Sequence, residues 1–179
     1  MAKNNLAREK NMIDFAPRQH HSSVEVPEEH RGVLISLLNA RLFDSLDVAS
    51  QVKYAHWNVR GIHFYQLHLL FDEIAEHIEG HIDDIAERIG ALGGVAHGTV
   101  REAAKHSGVP EYNLDAVEGD EHLKALVHNI GHHANTIREG IDEADRMRDR
   151  DTADLFTQVS RELDKDLWFL ESHLVGKIK

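Results

Sequence analysis

A chain of 179 residues is long enough for one domain with a full hydrophobic core. The absence of cysteine excludes disulfides and thiolate metal sites, which leaves histidine, aspartate and glutamate as the available metal ligands. The formal charge of −11 disfavours binding to nucleic acid and favours binding to cations. No apolar run approaches the roughly 18 residues of a membrane span, and the N-terminus lacks the apolar segment of a secretion signal. We therefore expect a cytoplasmic protein that does not enter membranes.

Residues 1–27 are predicted to form a polar, irregular tail, and residues 28–179 are predicted to form one helical domain. Pro27 followed by two glutamates is a favourable start for a helix, because proline fits the first turn and acidic side chains stabilise it. Apolar residues then recur at three- and four-residue spacing, and Gly61 marks the end of this pattern. The first long helix is therefore expected between Pro27 and Gly61.

Three further long helices and one short helix are expected after it. They are predicted over residues 64–92, 99–106, 120–148 and 149–174. The short helix lies in the long connection between the second and third long helices, and Asp151 or Thr152 is expected near the cap of the last helix. No segment has the alternation of a strand. The pattern predicts an all-α fold, an antiparallel four-helix bundle.

The second helix has two distinct faces on a helical wheel. An apolar stripe suited to the bundle core comprises Leu67, Leu70, Phe71, Ile74, Ile78, Ile82, Ile85 and Ile89. A separate arc of about 100° carries one histidine and five carboxylates, namely His68, Asp72, Glu76, Glu79, Asp83 and Glu87. His77 and His81 lie outside the arc of the ligand pairs. An acidic arc is most often a solvated face, so a metal site here needs further support.

His56 provides that support, because it lies where the first helix ends and the chain turns towards the His68 end of the second. With His68 and Asp72 it makes a candidate three-ligand set, whereas Asp83 and Glu87 lie about 22 Å further along the helix. One helix cannot close both pairs around one metal ion, since metal–ligand bonds are near 2 Å. Two copies packed antiparallel about a two-fold axis would bring each pair to its complement. We therefore predict two identical sites in a dimer interface.

A different metal site, a di-iron centre within one bundle, would need Glu-x-x-His motifs on two helices. No glutamate in this chain has a histidine three residues later, so the pattern disfavours that alternative. A helical dimer with a structural metal such as zinc remains a second alternative. Histidine and carboxylate ligands without cysteine are compatible with iron, manganese or zinc.

The segments KYAHWNVRG, LHLLFDEI, HIDDIAERIGALGG and DTADLFTQVSRELDKDLWFLESHL resemble the DNA-binding protein from starved cells family, the Dps-type mini-ferritins. The resemblance implies a ferritin-like bundle and a ferroxidase site made by His56, His68 and Asp72 of one subunit with Asp83 and Glu87 of the next. It also implies a hollow shell of twelve subunits that oxidises Fe(II), typically with hydrogen peroxide, and stores ferric mineral. Such a protein would protect the cell and its DNA from oxidative damage, with zinc as a candidate competitor for iron.

Four further residues acquire candidate roles from this resemblance. Trp57 could quench oxidising equivalents near iron, or it could be an aromatic anchor between two helices. Lys53 is expected to pair with an acid. Asp151 and Asp154 match positions that line a three-fold pore for iron uptake in the family, although both could instead cap the fourth long helix.

DNA binding is expected to be weak and salt-sensitive, or absent. The N-terminal arm carries Lys3, Arg8, Lys10 and Arg18 against two acids, and the C-terminus adds only Lys177 and Lys179. Twelve copies of the arm could add avidity, but the acidic body should repel DNA. The alternative function, a nucleoid-compacting protein with a secondary metal site, depends on this arm.

The other histidines are left without an assigned role. His128, His132 and His133 are expected to be surface or core residues of the third long helix rather than a second metal site. His20, His21 and His30 lie in or near the predicted tail.

Overall fold

The computed structural model describes residues 20–176, which form five helices and no β-strand. The helices are α1 (Glu28–Asn58), α2 (Phe64–Ala91), α3 (Val100–His106), α4 (Gly119–Arg146) and α5 (Arg150–Ser172). The predicted all-α bundle with a short helix in its long connection is therefore confirmed. Most of the predicted tail, with its four basic residues, lies outside the described residues, as do Lys177 and Lys179.

The four long helices pack as two antiparallel hairpins, α1 with α2 and α4 with α5. α1 also packs against α4, and α2 packs against α5, so the hairpins close into a bundle. The short helix α3 lies against α1. Between residues 20 and 176, no helix combines the length and the apolar content that crossing a membrane would require.

The apolar stripe predicted for α2 faces the core. Six of its members are at most 2% exposed: Leu67, Phe71, Ile74, Ile78, Ile85 and Ile89. Leu70 and Ile82 are partly buried against them. Each large apolar side chain that is fully buried contributes roughly 1.5–3 kcal/mol, so this stripe fixes the rotation of α2. The opposite, acidic arc is thereby directed away from the core.

Two residues after the end of α2 lies a glycine that no other residue could easily replace. Gly93 has a φ of 81°, and a Cβ atom there would lie 2.3 Å from the carbonyl oxygen of His20. The amide of His20 donates to the Gly93 carbonyl at 2.7 Å, and the Ser22 hydroxyl donates to the Ala91 carbonyl at 2.6 Å. The chain that precedes α1 is thus attached to the C-terminal end of α2.

The N-terminal cap of α5 is Asp149, so Asp151 and Thr152 lie near the cap as expected, but neither Asp151 nor Asp154 is the capping residue. One carboxylate oxygen of Asp149 accepts from the amide of Thr152 at 3.2 Å, and the other accepts from the Thr152 hydroxyl at 2.6 Å. Arg88 of α2 donates to the same carboxylate at 2.7 Å. Since the cap lies two residues earlier, Asp151 is in the first turn of the helix.

Candidate metal centre

The hairpin between α1 and α2 brings His56 and His68 together. Their imidazole rings are stacked, with centroids 3.8 Å apart and planes 19° from parallel. Nδ1 of His56 lies 2.8 Å from the carbonyl oxygen of His68, and Nδ1 of His68 lies 2.9 Å from the carbonyl oxygen of His56. A carbonyl oxygen can only accept, so each Nδ1 carries the hydrogen and donates it. In the neutral rings, both Nε2 atoms therefore keep a lone pair that can bind a metal.

Asp72 lies one turn beyond His68 and forms an ion pair with Lys53 of α1. Nζ of Lys53 donates to Oδ1 of Asp72 at 2.6 Å, and Nδ1 of His56 lies 3.8 Å from the same oxygen. The hydrogen bond from Lys53 is the main reason that the pKa of Asp72 lies below its usual value. The expectation that Lys53 pairs with an acid is confirmed, and its partner is one of the predicted metal ligands.

Asp83 and Glu87 are exposed on the same helix, far from the two histidines. Their predicted separation along α2, about 22 Å from the first pair, means that one chain does not bring the five residues together. Within residues 20–176 of a single chain, no three histidine or acidic side chains are arranged to hold a metal ion. The chain therefore presents two separate half-sets of candidate ligands.

Exposed apolar residues flank His56 and His68 along the chain, and we call them the exposed apolar patch. Its members are Trp57, Ile62, Phe64, Tyr65 and Leu69, all between 39% and 91% exposed. The indole of Trp57 is 63% exposed, so within one chain it does not anchor α1 to α2. Exposed apolar residues clustered beside polar ones are typical of protein–protein contact surfaces.

Asp151 and Asp154 are both exposed at the start of α5. The side chain of Asp151 lies 3.9 Å from Nη1 of Arg88 and is 83% exposed. Neither aspartate is the capping residue, although Asp151 lies in the first turn of α5, where a carboxylate is favourable. Both carboxylates are therefore open to contact with solvent or with another subunit.

A second cluster of histidine and acidic residues joins α2 to α5, and the sequence did not indicate it. Nδ1 of His77 lies 3.0 Å from Oδ1 of Asp166, and Nε2 of His81 lies 2.7 Å from Oε2 of Glu162. His81 and Asp166 are buried, whereas His77 and Glu162 are partly exposed. We call these four residues the α2–α5 cluster. The only pattern in the sequence that relates to this cluster is the four-residue spacing of its two histidines on α2 and of its two acids on α5.

The two acids of the α2–α5 cluster have opposite shifts. Burial raises the pKa of Asp166, and this effect outweighs the favourable charge of His77. Burial also acts to raise the pKa of Glu162, but the hydrogen bond from His81 and its charge outweigh that effect and lower it. The cluster thus pairs each imidazole with one carboxylate inside a single chain.

The histidines of α4 separate into surface and core residues, as expected. His128 and His132 are exposed, whereas His133 is fully buried and lies 3.2 Å from the Ser45 hydroxyl. Burial lowers the pKa of His133 to about 3, so this ring is neutral. His122, at the start of the same helix, is also fully buried, and no pattern in the sequence indicated this.

Comparison with known proteins identifies the fold family. The family model described as the ferritin-like domain matches residues 35–177. A protein from Agrobacterium fabrum named "DNA protection during starvation protein" is 38% identical over 160 residues, which cover 89% of this chain and 99% of that one.

Solved structures agree with this comparison. DpsA14 from Streptomyces coelicolor has a TM-score of 0.84 and 32% identity, over 88% of this chain and 94% of its own. The Dps protein from Vibrio cholerae, described as a member of the ferritin-like diiron-carboxylate superfamily, has a TM-score of 0.77 and 26% identity, over 82% of this chain and 91% of its own. The chain belongs to the Dps family of ferritin-like proteins.

Proposed function

We propose that this protein is a ferroxidase and iron-storage mini-ferritin, which oxidises Fe(II) with hydrogen peroxide at sites shared between two subunits. The observation that carries the proposal is the reciprocal contact between His56 and His68. Each ring donates its Nδ1 hydrogen to the other residue's backbone carbonyl, so both Nε2 lone pairs are held ready for a cation. Asp72 adds an ionised carboxylate one helical turn away.

The other half of the site is assigned to a second copy of the chain. If two α2 helices pack antiparallel about a two-fold axis, residue 70 of one lies beside residue 85 of the other. Asp83 and Glu87 of the partner subunit would then complete the ligand set. The exposed apolar patch around the histidines supports this arrangement, because a second copy would remove it from water.

The substrate chemistry follows from the ligands. Carboxylate oxygens are hard ligands, and their negative charge favours Fe(III) over Fe(II). The Lys53 ammonium is bonded to Oδ1 of Asp72, so a cation that binds this oxygen competes with Lys53. When two Fe(II) ions each give one electron to hydrogen peroxide, two protons complete the formation of two water molecules, and no hydroxyl radical is released.

Storage requires a closed shell, for which we propose twelve subunits. Asp151 and Asp154 would line the pore through which iron reaches the cavity. Their exposure and their position outside the cap of α5 support this role. Asp151→Asn with Asp154→Asn should slow iron uptake into the cavity, while leaving the particle intact. Uptake at the wild-type rate would remove the pore assignment.

A subunit-mixing experiment tests the shared site. The variant His68→Ala, Asp72→Ala and the variant Asp83→Ala, Glu87→Ala should each fail to oxidise Fe(II) with peroxide. After the two variants are unfolded and reassembled together, half of the two-fold pairs are mixed, and each mixed pair contains one wild-type site. Activity should therefore return to about a quarter of the wild-type value.

The matched control removes the same residue types from an exposed surface of α4, by His128→Ala with Asp142→Ala. This variant should oxidise iron normally. Mixed particles that remain inactive would show that the two half-sets do not act together. Wild-type oxidation by either double variant alone would contradict the ligand assignment, and the count of iron atoms retained per particle distinguishes storage from a structural zinc site.

DNA protection, in the sense of the relative's name, is assigned here to the removal of Fe(II) and peroxide rather than to coating DNA. The charge of −11 per chain supports this assignment. In a gel-shift assay at low salt, the full chain should retain DNA weakly and a chain lacking residues 1–21 should not. Strong retention by the full chain alone would favour the nucleoid-compacting alternative, and equal retention by both forms would show that the arm has no role.

A further inference from the structure

The connection between α3 and α4 contains a tyrosine that is hydrogen-bonded to a buried histidine. The hydroxyl of Tyr112 lies 2.7 Å from Nδ1 of His122, whose ring is completely buried in the first turn of α4. The two rings are nearly stacked, with centroids 6.1 Å apart and planes 24° from parallel. A phenol and an imidazole in this contact can share one proton.

Counting hydrogen bonds assigns the direction of this contact. Among the described residues, neither the Tyr112 hydroxyl nor Nε2 of His122 has another partner. If His122 donated, the phenol hydrogen and the Nε2 lone pair would both lack partners. If Tyr112 donates, only the Nε2 hydrogen lacks one, which costs less. The phenol is therefore the donor, and Nδ1 of His122 is the acceptor.

A second tyrosine connects this pair to the helix that carries the metal ligands. The rings of Tyr54 and Tyr112 meet edge to face, with centroids 5.3 Å apart and planes 64° apart. The Tyr54 hydroxyl donates to the carbonyl of Leu114 at 2.6 Å, which holds the connection against α1. Tyr54 precedes His56 by two residues, so it lies on the opposite side of α1, about one helix width of 10 Å away.

We propose that Tyr112 is a redox-active residue, which receives single oxidising equivalents from the iron site by way of Tyr54 and passes its proton to His122. The inference rests on the proposed function for the source of the oxidant. That function consumes peroxide safely when two Fe(II) ions are present. When a site holds only one, Fe(II) and hydrogen peroxide yield Fe(III), hydroxide and a hydroxyl radical, which is a one-electron oxidant.

The electron and proton balance closes within the named groups. Tyr112 loses one electron, which Tyr54 relays across α1 to the hydroxyl radical. The phenol O–H bond breaks, its proton binds Nδ1 of His122, and Tyr112 becomes a neutral phenoxyl radical. The hydroxyl radical gains the electron and becomes hydroxide, which takes a proton from solvent to form water. No further reductant is needed for this single step.

The electrostatics of the pair are suited to this transfer. Burial, with a smaller effect from Tyr54, raises the pKa of the Tyr112 phenol, so it keeps its proton until it is oxidised. Burial lowers the pKa of His122, so the imidazole is neutral and Nδ1 can accept. A neutral phenol and a neutral base in contact allow the electron and the proton to leave together.

Within the described part of the chain, two exposed aromatic residues near the proposed iron ligands, Trp57 and Tyr65, lack a hydrogen-bonded base such as the one that Tyr112 has in His122. The indole of Trp57 is 63% exposed and the phenol of Tyr65 is 66% exposed. Neither side chain has a hydrogen-bonding base beside it among residues 20–176. An oxidised ring at either position would lie in contact with solvent or with a second subunit, whereas Tyr112 holds the oxidising equivalent beside its own proton acceptor.

The test uses the assembled full chain, loaded with less Fe(II) than its sites can hold and treated with excess peroxide. Freeze-quenched samples with ring-deuterated tyrosine should show a phenoxyl radical by electron paramagnetic resonance. Tyr112→Phe should lose most of this signal and release more spin-trapped hydroxyl radical, while its rate of Fe(II) oxidation stays unchanged. The matched control, Tyr65→Phe, should keep the signal. An undiminished signal in Tyr112→Phe would overturn the proposal.

The role of His122 is measured on the wild-type radical, because substitution of this fully buried histidine is expected to destabilise the fold. High-field spectra should show a hydrogen-bonded phenoxyl oxygen with one proton that exchanges in D₂O. A phenoxyl radical without that proton would overturn the assignment of His122.

A third measurement separates this inference from the ferroxidase assignment. Azide radicals made by pulse radiolysis oxidise tyrosine without iron, so they test the pair in the iron-free particle. Phenoxyl absorbance that is lost in Tyr112→Phe and kept in Tyr65→Phe supports the redox pair even if iron oxidation fails. Equal absorbance in the two variants contradicts it even if iron oxidation succeeds.

Discussion

Two regions of α2 carry histidine and acidic residues, and they differ in where those side chains find partners. In the α2–α5 cluster, His77 and His81 are each paired with a carboxylate of the same chain. At the proposed metal centre, the imidazoles of His56 and His68 bind backbone carbonyls through Nδ1, which leaves Nε2 without a hydrogen-bond partner among residues 20–176. The difference lies in the partners: carboxylates of the same chain occupy the imidazoles of the cluster, whereas backbone carbonyls orient His56 and His68 and leave the nearby carboxylates to a cation.

The largest expected effect comes from separating the subunits. Leu69→Glu places a charge in the exposed apolar patch, and a buried charge without a partner costs several kcal/mol. We expect native mass measurement to show smaller species and Fe(II) oxidation to fall at least about ten-fold, although all five ligands remain. Val100→Glu, at an exposed site outside the patch, should change neither. Full activity from a monomer would contradict the shared site.

The α2–α5 cluster should contribute to the free energy of unfolding and not to Fe(II) oxidation. Glu162→Ala leaves the buried His81 without its partner, which should cost about 1–3 kcal/mol. Thermal unfolding of the iron-free particle would show this loss, with Fe(II) oxidation unchanged. Glu171→Ala removes an exposed acid of the same helix and should cost less than about 0.5 kcal/mol. A loss of iron oxidation in Glu162→Ala would mean that the two regions are coupled.

Acid titration should separate the two carboxylates of the α2–α5 cluster. The folded pKa of Glu162 is lowered, so its contribution to stability is present above about pH 4.3 and is lost as the pH falls through the folded pKa. The folded pKa of Asp166 is raised, so ionising it weakens the fold as the pH rises from about 3.9 through the folded value.

Unfolding measured between pH 3.5 and 7 should therefore give opposite trends. Relative to wild type, Glu162→Gln should become less stable as the pH rises, and Asp166→Asn should become more stable. Parallel trends in the two variants would contradict the assigned directions.

The smallest expected effect concerns Lys53. Its ion pair with Asp72 is partly exposed, and such pairs contribute about 0–1 kcal/mol. Lys53→Met should remove the competition for Asp72 and raise the apparent affinity for Fe(II) by up to about five-fold. Lys124→Met, an exposed lysine of α4, serves as the control. Weaker Fe(II) binding in Lys53→Met would show that the ammonium assists the site rather than competing for it.

The sequence predicted the helices and the core face of α2, because both depend on local periodicity. Phe71, Ile74 and Ile78 are buried as the wheel required. It also predicted that His56 would approach His68, since a short turn between antiparallel helices leaves little alternative. The hydrogen bonds from each imidazole to the other residue's carbonyl could not be predicted, because they depend on how far α1 and α2 are shifted relative to each other along the bundle axis.

The features that the sequence did not reveal depend on register between distant segments. Pairing of His81 with Glu162 requires knowing how α5 is offset along α2. The cap at Asp149 depends on a turn in which Arg148 has a φ of 62°, which few non-glycine residues adopt. Tyr112 lies in a connection without periodicity, so no helical pattern could place it beside His122.

The spacing of the two ligand pairs on α2 also limits how this chain can change in evolution. One residue inserted between Asp72 and Asp83 would turn the second pair by about 100° around the helix. In a symmetric dimer both subunits come from one gene, so both copies would carry the same insertion. One subunit could not acquire a separate mutation that restores the alignment. The length of this segment should therefore vary less among descendants of this protein than the chemistry of the residues inside it.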